Sequence, residues 1–172
     1  MLAGRVYRRA MHVFLLLLPI LIVFLVLMTL LVTALVLYGR RLVRNQRAVL
    51  AGLRRNGLAF LCRPTLGLRS SAGFILSVDR DAVSLWKVGL REPVRRQSFP
   101  SRGARVEPAT VQVNTARKAA GLSVVSAAGE RLDVSIYPDP TMSYSAPAKG
   151  TPLADAAQQI QASLARTTAG SD

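Results

Sequence analysis

The chain has 172 residues, 23 Lys and Arg against 9 Asp and Glu, a formal net charge of +14, and 51% apolar residues. It has one histidine, His12, and one cysteine, Cys62. Those counts exclude an internal disulfide, and they exclude a Ser-His-Asp or Cys-His centre beyond the N-terminal segment.

Residues 1–12 read as a basic tail carrying Arg5, Arg8 and Arg9. The next segment, residues 13–38 (VFLLLLPILIVFLVLMTLLVTALVLY), has no charged residue. As a helix it would extend ~39 Å at about 1.5 Å per residue, more than the ~30 Å hydrocarbon core of a bilayer. A cleaved signal peptide would have an apolar region of roughly 7–15 residues followed by a small-residue cleavage site. Here the run is longer and ends in Tyr38-Gly39-Arg40-Arg41, so it reads as a retained single transmembrane anchor. Pro19 lies inside it, and an over-long span tolerates the resulting tilt or kink. Thr29 and Thr33 share a helical face, and the simplest partner for each hydroxyl is the carbonyl four residues earlier. His12, at the boundary of the run, reads as an interfacial residue without a chemical role.

Residues 39–57 read as an Arg-rich amphipathic segment. On a helical wheel Leu42, Val43, Val49, Leu50 and Leu53 share one arc. Arg40, Arg41, Arg44, Arg47, Arg54 and Arg55 occupy the opposite one. The segment either continues the anchor as a stalk or bends at Gly39 to lie in the membrane interface. Its six arginines are the candidate contacts for anionic lipid, each worth on the order of 1 kcal/mol near an anionic leaflet. Six arginines after the span against three before it favour a cytoplasmic C-terminal part in a cell membrane. Residues 1–63 hold ten arginines and no acid, while residues 64–172 hold thirteen basic and nine acidic residues. The basicity is therefore juxtamembrane, which favours lipid headgroups over nucleic acid as its counter-ion. The interleaving of basic and aromatic residues used for nucleic-acid binding is absent.

Beyond Asn56-Gly57, short runs with period two alternate with turn residues, the signature of strands. They are Leu58–Cys62, Gly73–Val78, Ala82–Val88, Val94–Phe99, Ala104–Val113, Gly121–Ala127 and Arg131–Tyr137. Pro108 makes the fifth an edge or broken strand. Asp79-Arg80-Asp81 forms a tight turn, where Asp side chains bind nearby amides. Leu132, Val134 and Ile136 give the last strand an inward face. Trp86 reads as core, with an exposed anchor for a partner as the alternative, and Cys62 reads as a small apolar strand residue. Residues 138–151 form a Pro/Ser/Thr-rich loop. Residues 152–166 form a C-terminal helix with Thr151 as N-cap and Leu153, Ala156, Ala157, Ile160 and Leu164 as its apolar stripe. Residues 167–172 read as a disordered tail.

The expected fold is α+β: an N-terminal transmembrane helix with an amphipathic extension, then a small, mostly antiparallel β partial barrel over residues 58–137, capped by the C-terminal helix. Seven short strands closed by such a helix resemble the pleckstrin-homology-like (PH-like) fold. GFILSVDRDAVSLWKV, VRRQSFPSRGARVEP and GLSVVSAAGERLDVSIYPD are similar to bacterial PH-like modules. A single span preceding such a module also resembles uncharacterised actinobacterial membrane protein families. The resemblance implies a binding or scaffolding module rather than an enzyme. Phosphoinositide binding does not carry over, because Arg63 and Arg69 alone flank the corresponding loop. Arg91, Arg95, Arg96, Arg102 and Arg105 form a second basic cluster, read either as a solvated strand face or as a docking patch. No metal or cofactor is implied. The expected partners are an anionic bilayer and either another membrane protein or a second copy of the chain. A domain outside the cell on an uncleaved signal anchor is the other reading.

Overall fold

A computed structural model describes the backbone of residues 3–65, 73–114, 117–137 and 147–169 and the side chains of 18–65, 73–113, 117–137 and 147–167. The elements run α1 (Ala3–Asn56), β1 (Leu58–Pro64), β2 (Gly73–Val78), β3 (Ala82–Val88), β4 (Val94–Pro100), β5 (Arg105–Asn114), β6 (Arg117–Val125), β7 (Arg131–Tyr137) and α2 (Thr151–Ala169). The chain divides into two compact units, Met1–Arg40 and Arg41–Asp172.

The first unit is helical from Ala3, so residues 3–12 belong to α1 rather than to a separate tail. Every side chain from Leu18 to Tyr38 is exposed. By length and composition, α1 is the one helix among the described residues that is long and apolar enough to cross a membrane. The hydroxyls of Thr29 and Thr33 donate to the carbonyls of Leu25 and Thr29, each at 2.8 Å, the internal bonding expected of them.

The second unit contains one open, antiparallel seven-stranded sheet in the order β4-β3-β2-β1-β7-β6-β5. Alternation places Phe74, Leu76 and Val78 of β2 on one face with Val83 and Leu85 of β3. Leu132, Val134 and Ile136 of β7 join the same cluster, which Ala156, Ile160 and Leu164 of α2 cover. The opposite face of β1–β3 is also dry: Ala59, Leu61, Ile75 and Val88 form a second cluster with Leu50 and Tyr137. Val49, Leu53 and Trp86 pack against that cluster. All six residues of β2 are buried as a result.

The residues 39–57 segment therefore divides differently from the expectation. From Arg41 onward it belongs to the β unit, because its apolar arc packs on the sheet. Helices cover both sheet faces, not the C-terminal face alone.

Local chemistry explains most element ends. Asp79 Oδ1 accepts the amides of Asp81 (3.0 Å) and Ala82 (2.7 Å), closing the β2–β3 turn. Ser126 and Glu130 close the β6–β7 turn, with Gly129 at φ 86°. β5 carries Pro108 without a break because it is an edge strand, where a missing amide leaves no ladder bond unmade. α2 begins one residue before the expected Pro152. Gly150, at φ 58°, rather than Thr151, accepts the first amides, those of Leu153 and Ala154. α2 also takes in Thr167–Ala169, three residues assigned by sequence to the tail. The rest of the expected tail and residues 138–146 of the expected loop lie outside the described residues.

Two predictions follow from the packing. A Cβ on Gly121 would collide with the Val134 carbonyl oxygen and Val111 Cγ2, whereas nothing approaches one on helical Gly52. Gly121→Ala should cost about 1–3 kcal/mol, and Gly52→Ala should add about 0.5–1 kcal/mol, in urea unfolding of the detergent-solubilised chain. Leu50 is 3% exposed between α1 and the sheet, so Leu50→Ala should cost about 2–5 kcal/mol in the same assay. Leu27→Ala, on the exposed apolar stretch, should leave unfolding of the β unit unchanged.

Candidate functional site

The basic residues sort into three places. The first is the polar face of α1. Arg41, Arg44, Arg47, Arg54 and Arg55 are exposed on it, as is Arg40 at the end of the first unit. Arg54 Nε also donates to the Ala59 carbonyl at 3.1 Å, so this guanidinium helps fix the α1–β1 corner. A helix lying in a membrane interface turns its apolar face toward the acyl chains. Here Val49, Leu50 and Leu53 are covered by the sheet rather than free for acyl chains, and the arginine face is outward.

The second place is the connection between β3 and β4. Asn45 Nδ2 donates to the carbonyls of Gly89 (2.6 Å) and Arg91 (3.4 Å), tying this connection to α1. A register shift between Leu85 and Trp86 turns the start of β4. Gln97 lies opposite Leu85, while Arg95 lies opposite Trp86 on the α1 side of the sheet. The Arg95 guanidinium sits 5.9 Å from the Trp86 ring centroid, a cation–π contact. Trp86 Nε1 donates to Ser77 Oγ at 3.0 Å. Trp86 is thus a half-buried core residue with a satisfied polar end.

The third place is a polar cleft of about 750 Å³ at another end of the unit, lined by Asp79, Arg80, Asp81, Ser101, Arg102 and Arg166 among others. Ser101 Oγ donates to the Arg80 carbonyl at 2.5 Å, and its amide donates to the Asp81 carbonyl at 3.1 Å. These bonds pin the β2–β3 and β4–β5 turns side by side.

The five arginines expected to form one cluster are therefore dispersed. Arg91, Arg95 and Arg96 belong to the β3–β4 connection and the start of β4, and Arg102 lines the cleft. Arg105, on the opposite edge strand, pairs with Glu107 at 2.7 Å. β4 and β5 are consecutive in the chain but stand at the two ends of the strand order. Sequence reasoning also missed the approach of Arg80, Arg102 and Arg166, which come from two turns and a helix with no common spacing.

Among the described residues, no group of three or more His, Cys, Asp or Glu side chains is placed to hold a metal ion. Cys62 is fully buried, and loss of water around it pushes its thiol well above the ordinary value of 9.0, a shift that a backbone hydrogen bond at Leu76 partly opposes. Comparison with known protein families, with curated proteins and with solved structures finds no match.

The buried thiol yields a two-part prediction. A water-soluble maleimide should leave the folded chain unlabelled and attach once per chain in denaturant, as read by mass spectrometry. Above pH 9.0 the unfolded thiol ionises while the buried one stays protonated, so the folded state holds the extra proton. This contribution to stability is complete below that pH and should fall by about 1.4 kcal/mol per pH unit above it. Cys62→Ala should flatten that alkaline slope in chemical unfolding.

Proposed function

We propose that this chain is a single-span membrane protein whose β unit is a PH-like, non-enzymatic binding or scaffolding module. It acts as an accessory subunit or adaptor for other membrane proteins at an anionic, cytoplasmic membrane surface. The observation that carries this reading is α1 itself. Its side chains from Leu18 to Tyr38 are apolar apart from two threonines and one tyrosine, and all are exposed to their surroundings. A helix apolar on every side needs an apolar environment, and a bilayer supplies one. The exposed arginine face begins directly after this stretch, which suits the charge of an anionic leaflet. Seven strands followed by a covering helix support the PH-like reading of the β unit. Tethering would raise the local concentration of the module for neighbouring membrane proteins, so weak contacts would suffice.

Three measurements test the proposal. The chain should stay in the membrane pellet after alkaline carbonate extraction, and removal of residues 13–38 should release it. A green fluorescent reporter fused after Asp172 should fluoresce, while an alkaline phosphatase fused there should be inactive. The opposite pattern would put the β unit outside the cell. Solubilisation in mild detergent should recover a second membrane protein or a second copy of this chain at fixed stoichiometry, and a lone monomer would count against the adaptor role.

A further inference from the structure

Within Arg41–Asp172, the exposed large apolar side chains among the described residues are Leu90 and Val94, at 48% and 50% exposure. Both belong to the β3–β4 connection and the start of β4, four residues apart and separated by Arg91, Glu92 and Pro93. Arg95 and Arg96 follow directly, and all three arginines are exposed. The other described large apolar groups of the unit are buried or half-buried, so two exposed ones near each other in the chain and among arginines form a small amphipathic tip. Such a tip matches a leaflet surface, with apolar groups for the acyl boundary and guanidinium groups for phosphate.

Covalent connection also limits how far the tip can stand from the apolar stretch of α1. Asn45 bonds the carbonyls of Gly89 and Arg91, and Asn45 is seven residues beyond Tyr38. Even a fully extended chain of seven residues reaches no more than about 25 Å. The anchor of this tip therefore lies no more than about 25 Å from the end of that stretch.

We infer that the β3–β4 connection is a second membrane contact, in which Leu90 and Val94 enter the interface of an anionic leaflet and Arg91, Arg95 and Arg96 bind its phosphate headgroups. This deepens the membrane-anchored reading and rests on it. The span would hold the chain in the bilayer, and the tip would fix the face that the β unit turns toward it.

The test uses the full-length chain in lipid nanodiscs. Cys62 is buried, so a cysteine introduced at Leu90 is the accessible thiol for an environment-sensitive fluorophore. Labels at Val26, within the apolar stretch, and at Gln158, exposed on α2, serve as references. In nanodiscs containing phosphatidylglycerol, the Leu90 label should shift to the blue and be quenched by brominated lipid, while the Gln158 label should not. Replacing Arg91, Arg95 and Arg96 together by Glu should release the Leu90 label. Each lost arginine should weaken docking by roughly fivefold. Because Arg95 stacks on Trp86, urea unfolding checks that this variant stays folded. Lipid quenching at Val26 with none at Leu90 would overturn the tip contact and leave the anchor standing. Absence of quenching at both would overturn the anchor as well. Equal quenching at Leu90 in phosphatidylcholine alone would overturn the anionic preference. A Leu90 label shielded from aqueous iodide but untouched by brominated lipid would mean that a protein surface, and not lipid, covers the tip.

Discussion

The structure depends on the burial of β2 from both sides. A strand with all six residues inaccessible needs two covers, and the chain supplies α2 for one face and Val49, Leu50 and Leu53 near the end of α1 for the other. An antiparallel sheet commonly leaves one face wet. Here Ile75, Leu61 and Val88 on the second face would be open to water without Val49, Leu50 and Leu53 of α1. Full burial of one such side chain is worth about 1.5–3 kcal/mol. Losing this cover would therefore remove a large share of the roughly 5–15 kcal/mol that holds a small domain together. The part of α1 from Arg41 onward is thus a wall of the β unit.

That arrangement decides what the arginines of α1 can do. An amphipathic helix can turn its apolar side to lipid or to protein. With protein as the occupant, Arg41, Arg44, Arg47 and Arg55 are held outward by the packing behind them. Arg54 is partly drawn into the fold through its bond to Ala59. Exposed arginines on a rigid, core-anchored helix lose less entropy on meeting a phosphate than arginines on a loose tail would.

Much of the β unit was legible in sequence because period two is a strong signal. Gly73–Val78, Ala82–Val88 and Arg131–Tyr137 have the bounds that alternation implied. The Asp79 turn likewise followed from the side-chain chemistry of aspartate. The apolar arc of Val49, Leu50 and Leu53 was equally visible, but its partner was not. A helical period reports that a face is covered, and lipid and a sheet leave the same pattern. The register shift beside Trp86 has no local signature, so the side of the sheet taken by Arg95 could not be read. The expected arginine cluster failed because Arg91, Arg95 and Arg96 lie at or before the start of β4, far along the strand from the β4–β5 connection that carries Arg102, and Arg105 opens the opposite edge strand. β4 and β5 share a short connection at Ser101–Ala104 yet form opposite edges of the sheet. The cleft of Arg80, Arg102 and Arg166 is the converse case, in which distant residues are gathered by two pinned turns and the last turns of α2.

Cys62 bears on compartment less than its presence in the sequence implied. A lone thiol fits a reducing environment when it is open to oxidants, because there it would otherwise form mixed disulfides. Buried at 0% exposure in the cluster with Phe74 and Ile136, and held protonated, it is inert in either compartment. Orientation of the proposed span therefore rests on the flanking arginines alone. Among the six that follow it, Arg54 serves the α1–β1 corner, so its presence has a structural cause independent of topology. Arg40, Arg41, Arg44 and Arg47 all fall within three turns of Tyr38, where basic residues act most strongly on orientation. Setting Arg54 aside leaves five arginines after the run, Arg55 included, against three before it, which is the support for the cytoplasmic β unit proposed above. The margin is narrower than the raw count of six to three, because part of that count is owed to folding.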